Sequence, residues 1–185
     1  MRAISSPLLL LMIFTVSACE KKPAAPPPPS VLTAAATDYY SGMIIVDHSG
    51  PKGQIHLVGK GDPLWFSSVR KTIAYTLSPE ENHRISAIYV TDMVKTSNWK
   101  TPDPRAWVDA HKAWYVIDGK TKGRKIVGGM GMLEVAPFSI RATAQAYARE
   151  HDGKVVRMSK IPRAFFAPPP PPPDDKQTTY GVSKP

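Results

Sequence analysis

Two proline runs, Pro26-Pro27-Pro28-Pro29 and Pro168 to Pro173, set the limits of what this chain can pack. Proline fixes φ and has no N–H to give, so neither run can enter a helix interior or a sheet centre. The stretch from Lys21 to Asp38 adds Pro23 and an alanine-rich segment, without apolar periodicity. It reads as a tether, partly in polyproline II, reaching roughly 60 Å over about twenty residues. Beyond the second run the chain is polar to Pro185. Residues 167–185 read as a disordered tail, or as a proline-rich recognition peptide. A packed core is therefore expected between them, over residues 39–166.

The first eighteen residues hold one basic side chain, a short apolar run and then small residues, ending at Val16-Ser17-Ala18-Cys19. That is the order of a secretory signal peptide. The last four residues have the form of a bacterial lipobox, in which the cysteine sulfur takes a diacylglycerol and cleavage falls before it. Residues 1–18 are then the signal peptide, and residues 19–38 the tether from a lipidated Cys19. The alternative is an ordinary signal cut near Ala18, with a free thiol left behind. Several acyl chains hold a protein far more firmly than the single chain that binds only marginally. Glu20, rather than aspartate, favours the outer membrane, with the folded part facing the periplasm. Cys19 is the only cysteine, so the domain can hold no disulfide, cysteine nucleophile or thiolate ligand.

Lysine and arginine exceed aspartate and glutamate by nine, and the pI is about 9.7. Such an excess suits anionic lipid or an acidic partner. No nucleic-acid-binding signature accompanies it. The one dense cluster, Lys120-Thr121-Lys122-Gly123-Arg124-Lys125, reads as a solvated basic loop.

Within residues 39–166 the order of elements repeats. Met43-Ile44-Ile45-Val46 and Gln54-Ile55-His56-Leu57-Val58 read as a strand pair around a turn-rich loop. Phe66-Ser67-Ser68 opens a helix whose Val69, Ile73 and Leu77 share a face, and Ile85 to Val90 is a strand. Ala113 to Ile117 and Met132 to Val135 then read as strands. Phe138-Ser139 opens a second helix to Glu150, with Ala142, Ala146 and Tyr147 at helical spacing, and Gly153 ends it before the strand Lys154 to Met158. The expected fold is α+β, two ββαβ halves (about 39–94 and 106–166) in one small domain. The linking stretch Lys95 to Asp109, which overlaps the start of the second half, carries Trp99 and Trp107, expected as anchors over the core.

Catalytic signatures are missing: there is no Gly-x-Ser-x-Gly, no His-Glu-x-x-His and no acid–base pair, so no enzymatic activity is expected. Gly128 to Met132 is glycine-dense but lies between strands, and opens no helix that would bind phosphate. Methionine offers more. Met43, Met130 and Met132 each stand next to or between glycines, and Met130 and Met132 fall on one face of an extended chain. Thioether sulfur is a soft donor suited to Cu(I); methionine also fills gaps in small cores. Both readings stand for these three, whereas Met93 and Met158, near strand ends, read as core. Among the histidines only His48 lies close to Met43.

The stretches Met43 to His48 and Gly50-Pro51-Lys52-Gly53-Gln54-Ile55-His56 make the chain similar to the NosL family. The likeness continues through Trp65 to Arg70, Ile88 to Met93, Trp107 to Ala110, Ala113 to Ile117, Met130-Gly131 and Pro137-Phe138-Ser139. The resemblance implies a two-ββαβ fold. It also implies a Cu(I) metallochaperone, a periplasmic lipoprotein serving nitrous oxide reductase or another copper-handling protein. The family's ligand pattern is Cys-x-Met before the first strand and Met-x-His before the second helix. Here these read Ser41-Gly42-Met43 and Met130-Gly131-Met132. The implied site is Met43, Met130 and Met132, with His48 as a further donor. A second function class is a lipoprotein interaction module on the same scaffold, without metal.

Overall fold

The computed structural model describes residues 25–79, 84–96, 98–121, 124–125 and 133–166. Two small sheets and two helices make an α+β fold. The first sheet holds β1 (Gly53–Leu57), β2 (Leu64–Phe66), β3 (Ile85–Thr91) and β4 (Trp107–Asp109), in the order β2-β1-β3-β4, all antiparallel. Helix α1 (Val69–Leu77) lies between β2 and β3 in the chain. The second sheet holds β5 (Trp114–Ile117), β8 (Ala136–Phe138) and β9 (Lys154–Arg157), in the order β8-β5-β9, with α2 (Arg141–Glu150) before β9. Between β5 and β8 a hairpin pairs β6 (Lys120–Thr121) with β7 (Arg124–Lys125), where the basic loop was expected. In both halves the first strand of the repeat is central, with the second on one side and the third on the other.

The ββαβ order is as the sequence suggests, but the strands of the first half are set further along. Met43 to Val46 is no sheet strand: Ile44 makes a single bridge to Thr37, and Ile45–Asp47 is a 3-10 turn. Only Ile45 of that run is buried, so one bridge and one apolar anchor suffice and no ladder forms. The partner of β1 is instead Leu64–Phe66, just ahead of α1. In the second half the strand is Ala136–Phe138, beyond the expected Val135; of that earlier run, Met132 lies outside the described residues.

Helix α1 starts as expected, the Ser68 hydroxyl accepting from Lys71 N at 3.1 Å. Val69 and Ile73 enter the core, while Leu77 stays exposed in the last turn. In α2 the buried residues are Ala144 and Ala148, not Ala142 and Ala146, which are exposed. Alanine occurs on both sides of this helix, so its spacing alone does not fix the face; Tyr147, stacked on Phe138 at 5.1 Å, does. Ser139 does not cap α2, whose N-cap position is Ile140; its amide donates to Asp92 Oδ1 at 2.9 Å. That bond, with Met93 N donating to Pro137 O at 2.9 Å, stitches the halves together. One core spans both, with Ile55, Val69, Ile73 and Val90 packed among Tyr115, Ile117 and Val135.

All five residues of β1 are buried, and one helix cannot do that. Ile55 and Leu57 face the shared core with α1; Gln54 and His56 alternate to the other face. That face is covered by the segment expected as a free tether. Gln54 Nε2 donates to Ser30 O at 2.9 Å and its Oε1 accepts from Ser30 N at 2.8 Å. Tyr89 donates its hydroxyl to Pro27 O at 2.6 Å, and Leu32 N donates to Pro104 O at 3.1 Å. Leu32 and Ala36 are buried with Ile45 and Trp107, against Trp65 and Tyr89. So the chain is docked from Pro27 onward as a strap over the sheet, where the sequence suggested a free tether up to Asp38. Trp107 belongs to this face from within β4, and Trp99 packs on the smaller cluster around Phe138. Gln54→Leu removes the clasp on Ser30; amide exchange across residues 30–36 is expected to rise about thirtyfold, the value of two hydrogen bonds at about 1 kcal/mol each. Unchanged exchange would mean that Leu32 and Trp107 hold the strap unaided.

Candidate metal centre

Met43 sits at the end of a turn that begins at Asp38. Asp38 N donates to Met43 O at 2.8 Å, and Gly42 N donates to Asp38 O at 2.8 Å. Gly42 has φ of 68°, a left-handed conformation glycine takes without steric cost. The Asp38 carboxylate fills the turn. Oδ1 accepts from Tyr40 N (3.2 Å), Ser41 N (3.0 Å), Ser41 Oγ (3.0 Å) and Lys71 Nζ (3.0 Å). Oδ2 accepts from Ser67 N at 2.7 Å. Only 1% of Asp38 is exposed. Burial alone would raise its pKa, but the bonds from Ser67, Lys71 and Ser41 outweigh that and hold it well below 3.8.

Above this anchor Met43 is 45% exposed. Its neighbours Tyr39, Tyr40, Ile44 and Val46 are also largely exposed. Tyr39 and Tyr40 stack on Phe66, each at 5.9 Å, and Tyr39 meets Tyr75 edge-on at 5.5 Å. The turn thus presents a thioether to solvent from a rigid base. Ser41, where the family pattern has cysteine, has its hydroxyl bonded to Asp38. His48, half-buried, follows the 3-10 turn Ile45–Asp47, its amide donating to Ile45 O at 3.1 Å. Met130, Met132 and Cys19 lie outside the described residues. Met93 and Met158 pack into the cores, as gap-filling methionines do. Among the described residues no three His, Cys, Asp or Glu side chains gather as a metal site.

Beneath the turn lie buried charges that the sequence did not single out. Lys52 Nζ donates to the carbonyls of His48 and, at 3.4 Å, Ser67. It thereby ties the chain after Met43 to the start of α1. Burial lowers its pKa to about 8, against the pull of Glu134 and Asp38. Glu134, two residues after Met132, accepts from Arg70 N (3.1 Å) and Val135 N (2.9 Å) through Oε1. Its Oε2 is buried without a hydrogen-bond partner among the described residues. Burial raises this carboxyl to about 7 despite those bonds and the nearby Lys52 and Arg70. Glu134 is therefore moored to the same charged base that holds the Met43 turn. Asp38 has a sequence signal, an aspartate three residues before Ser41-Gly42, the composition of a side-chain-closed turn. Glu134 has one too, an acid inside the apolar run Met132 to Val135.

Known proteins are similar to this chain in sequence and in fold. The family model described as NosL matches residues 29–166, which takes in most of the docked strap. The copper-binding lipoprotein NosL of Achromobacter cycloclastes is 39% identical over 127 residues, 68% of this chain and 63% of that protein. The copper-binding lipoprotein NosL of Stutzerimonas stutzeri is 37% identical over 123 residues, 66% of this chain and 60% of that one. The chain thus spans about three fifths of the length of these curated relatives. The crystal structure of the copper chaperone NosL from Shewanella denitrificans superposes with a TM-score of 0.65 at 28% identity, covering 75% of this chain and 99% of that one. With its two ββαβ halves and this match across the whole folded region, the chain belongs to the NosL family.

Proposed function

We propose that this chain binds Cu(I) as cargo through Met43, Met130 and Met132, with His48 as a further donor. It would act as a copper-handling lipoprotein that holds or delivers the ion for a copper enzyme such as nitrous oxide reductase. The observation that carries this reading is Met43, a soft donor held in solvent on a turn braced by a buried carboxylate. The names of the relatives support copper as the metal. An all-thioether set suits Cu(I) and poorly suits zinc or magnesium. It binds without losing a proton, so its affinity depends less on pH than that of a thiolate site. Anchoring would come from a diacylglycerol on Cys19, with the domain on the periplasmic side and the outer membrane favoured by Glu20.

Anaerobic Cu(I) titration of the purified chain, beside a variant with Met43, Met130 and Met132 changed to leucine, tests the site. Each lost thioether is expected to weaken binding at least tenfold, and the triple variant to hold no stoichiometric copper. Equal binding by both sinks the proposal. A second reading, an interaction module without metal, draws on Ser41: its hydroxyl is spent on Asp38 and supplies no thiolate. Protein that carries no copper when purified without oxygen, and takes none up, would favour it.

A further inference from the structure

The strap runs over the sheet in a direction that fixes how the domain stands relative to its anchor. Strand β1 and helix α1 both start at the Met43 end of the molecule. Gly53 pairs with Phe66 there, and Ser67 and Lys71 reach Asp38. Both run about 13 Å away from it. The strap lies the other way. From Asp38 it passes Leu32 and Ser30, and it ends at Pro26, in a hollow of about 460 Å³ also lined by Thr76, Ile85, Tyr89, His111 and Met158. Thr76 is in the last turn of α1 and Ile85 starts β3, opposite the last residue of β1. The chain therefore leaves the domain towards residue 19 from the end remote from Met43.

Six residues lie between Cys19 and Pro26, so their Cα atoms stand at most about 25 Å apart along extended chain. That is less than half the span of a free tether reaching Asp38. The end that Pro26 leaves from also carries exposed cations. Lys112 follows His111, Lys160 follows Met158 in its 3-10 turn, and Lys60 and Arg84 stand by the end of β1 and the start of β3. Asp62 and Asp109 are the acids beside them, and Lys112 Nζ lies 3.7 Å from Asp109 Oδ2. Glu80 and Glu81 lie outside the described residues. Arg157 is already engaged, 3.4 Å over the Trp114 ring and bonded to Ala113 O at 3.0 Å.

We infer that the end of the domain around Pro26, Lys112 and Lys160 is a surface for anionic phospholipid headgroups, and that it turns the Met43 loop away from the membrane. The inference rests on the lipid anchor at Cys19. The short leash places these lysines within reach of the bilayer, where each cation near an anionic surface strengthens binding about fivefold. An acidic protein would have to enter the gap that the leash closes, so the lipid surface is the occupant the geometry favours.

The test uses the lipidated chain purified from membranes and placed in vesicles of phosphatidylglycerol or of phosphatidylcholine. An amine-acetylating reagent then reports each lysine by mass spectrometry. Labelling of Lys112 and Lys160 is expected to be several-fold lower in phosphatidylglycerol and to recover in high salt. Lys95 and Lys100, near the Met43 end, should label equally in both. Equal labelling of all four lysines, or protection of Lys95 and Lys100 instead, overturns the inference. The same spectra read the Cys19 peptide. A peptide without acyl mass overturns the anchor alone, and salt-sensitive sedimentation of that chain with phosphatidylglycerol vesicles then decides the surface. K112E/K160E should lower this sedimentation at least about tenfold; no change overturns the surface too.

Discussion

Asp38→Ala is expected to destabilise the protein by about 3–5 kcal/mol in urea unfolding at neutral pH, the range for removing one partner of a buried charged pair. The carboxylate accepts from three backbone amides, the Ser41 hydroxyl and the Lys71 ammonium. Alanine leaves the buried Ser67 amide without this acceptor, while the partly exposed Lys71 can turn to water, which places the loss towards the lower end. Asp38→Asn should lose less, since one amide oxygen keeps part of the set. The pH dependence separates charge from shape. Asp38 is held well below 3.8 when folded, so as pH falls below that value the unfolded chain takes up the proton first. The stability it contributes is present above pH 3.8 and is lost as acid increases. Both variants should therefore show a flatter acid limb than the parent when unfolding is followed against pH. An unchanged limb would mean that the carboxylate is not the anchor of the turn. Copper titration of Asp38→Asn adds a second readout: a folded variant with weakened Cu(I) binding would show that the turn positions Met43.

Gly53→Ala should be comparably damaging, at about 3 kcal/mol or more, for a purely steric reason. A Cβ at Gly53 would lie 1.9 Å from Thr72 Oγ1 and 2.7 Å from Thr72 Cβ and Cγ2. Thr72 is fully buried, and its hydroxyl donates to Ser68 O at 2.9 Å, so it has no rotamer to retreat into. The close approach lets α1 lie flat on β1 beside the base of the Met43 turn. Combining Gly53→Ala with Thr72→Ala should recover part of the loss, because two of the three offending atoms go. A double variant no more stable than Gly53→Ala would place the strain elsewhere.

The ββαβ order could be read from the chain because β-branched runs bounded by glycine and proline mark strands locally, and Ser68 marks a helix start. The exact partner of β1 could not. Ile44, Ile45 and Val46 have strand composition, yet the ladder went to Leu64-Trp65-Phe66, residues that also read as the lead-in to α1. The docked strap escaped for a different reason. A proline run lacks amide donors but keeps every carbonyl, and such a carbonyl is what Tyr89 reaches at Pro27. At the candidate site, Met43 stood out through its own chemistry. The residues that brace it did not, because Asp38 meets Ser67 and Lys71 across 29 and 33 positions. Long-range bonds of that kind leave no periodic trace.

Arg70 Nε donates to Phe165 O at 3.0 Å, so the last described turn of the chain closes onto the first helix. The order of synthesis then matters. A chain emerging from its N-terminus exposes the strap, β1 and α1 long before the residues that complete their core, and the strand β9 that flanks β5 comes nearly last. No early fragment can settle as a finished half, because Tyr115, Ile117 and Val135 must arrive to fill the space around Val69 and Ile73. The chain remains a client for whatever shields exposed apolar surface until about residue 166 is free, and only then does it become one cooperative body.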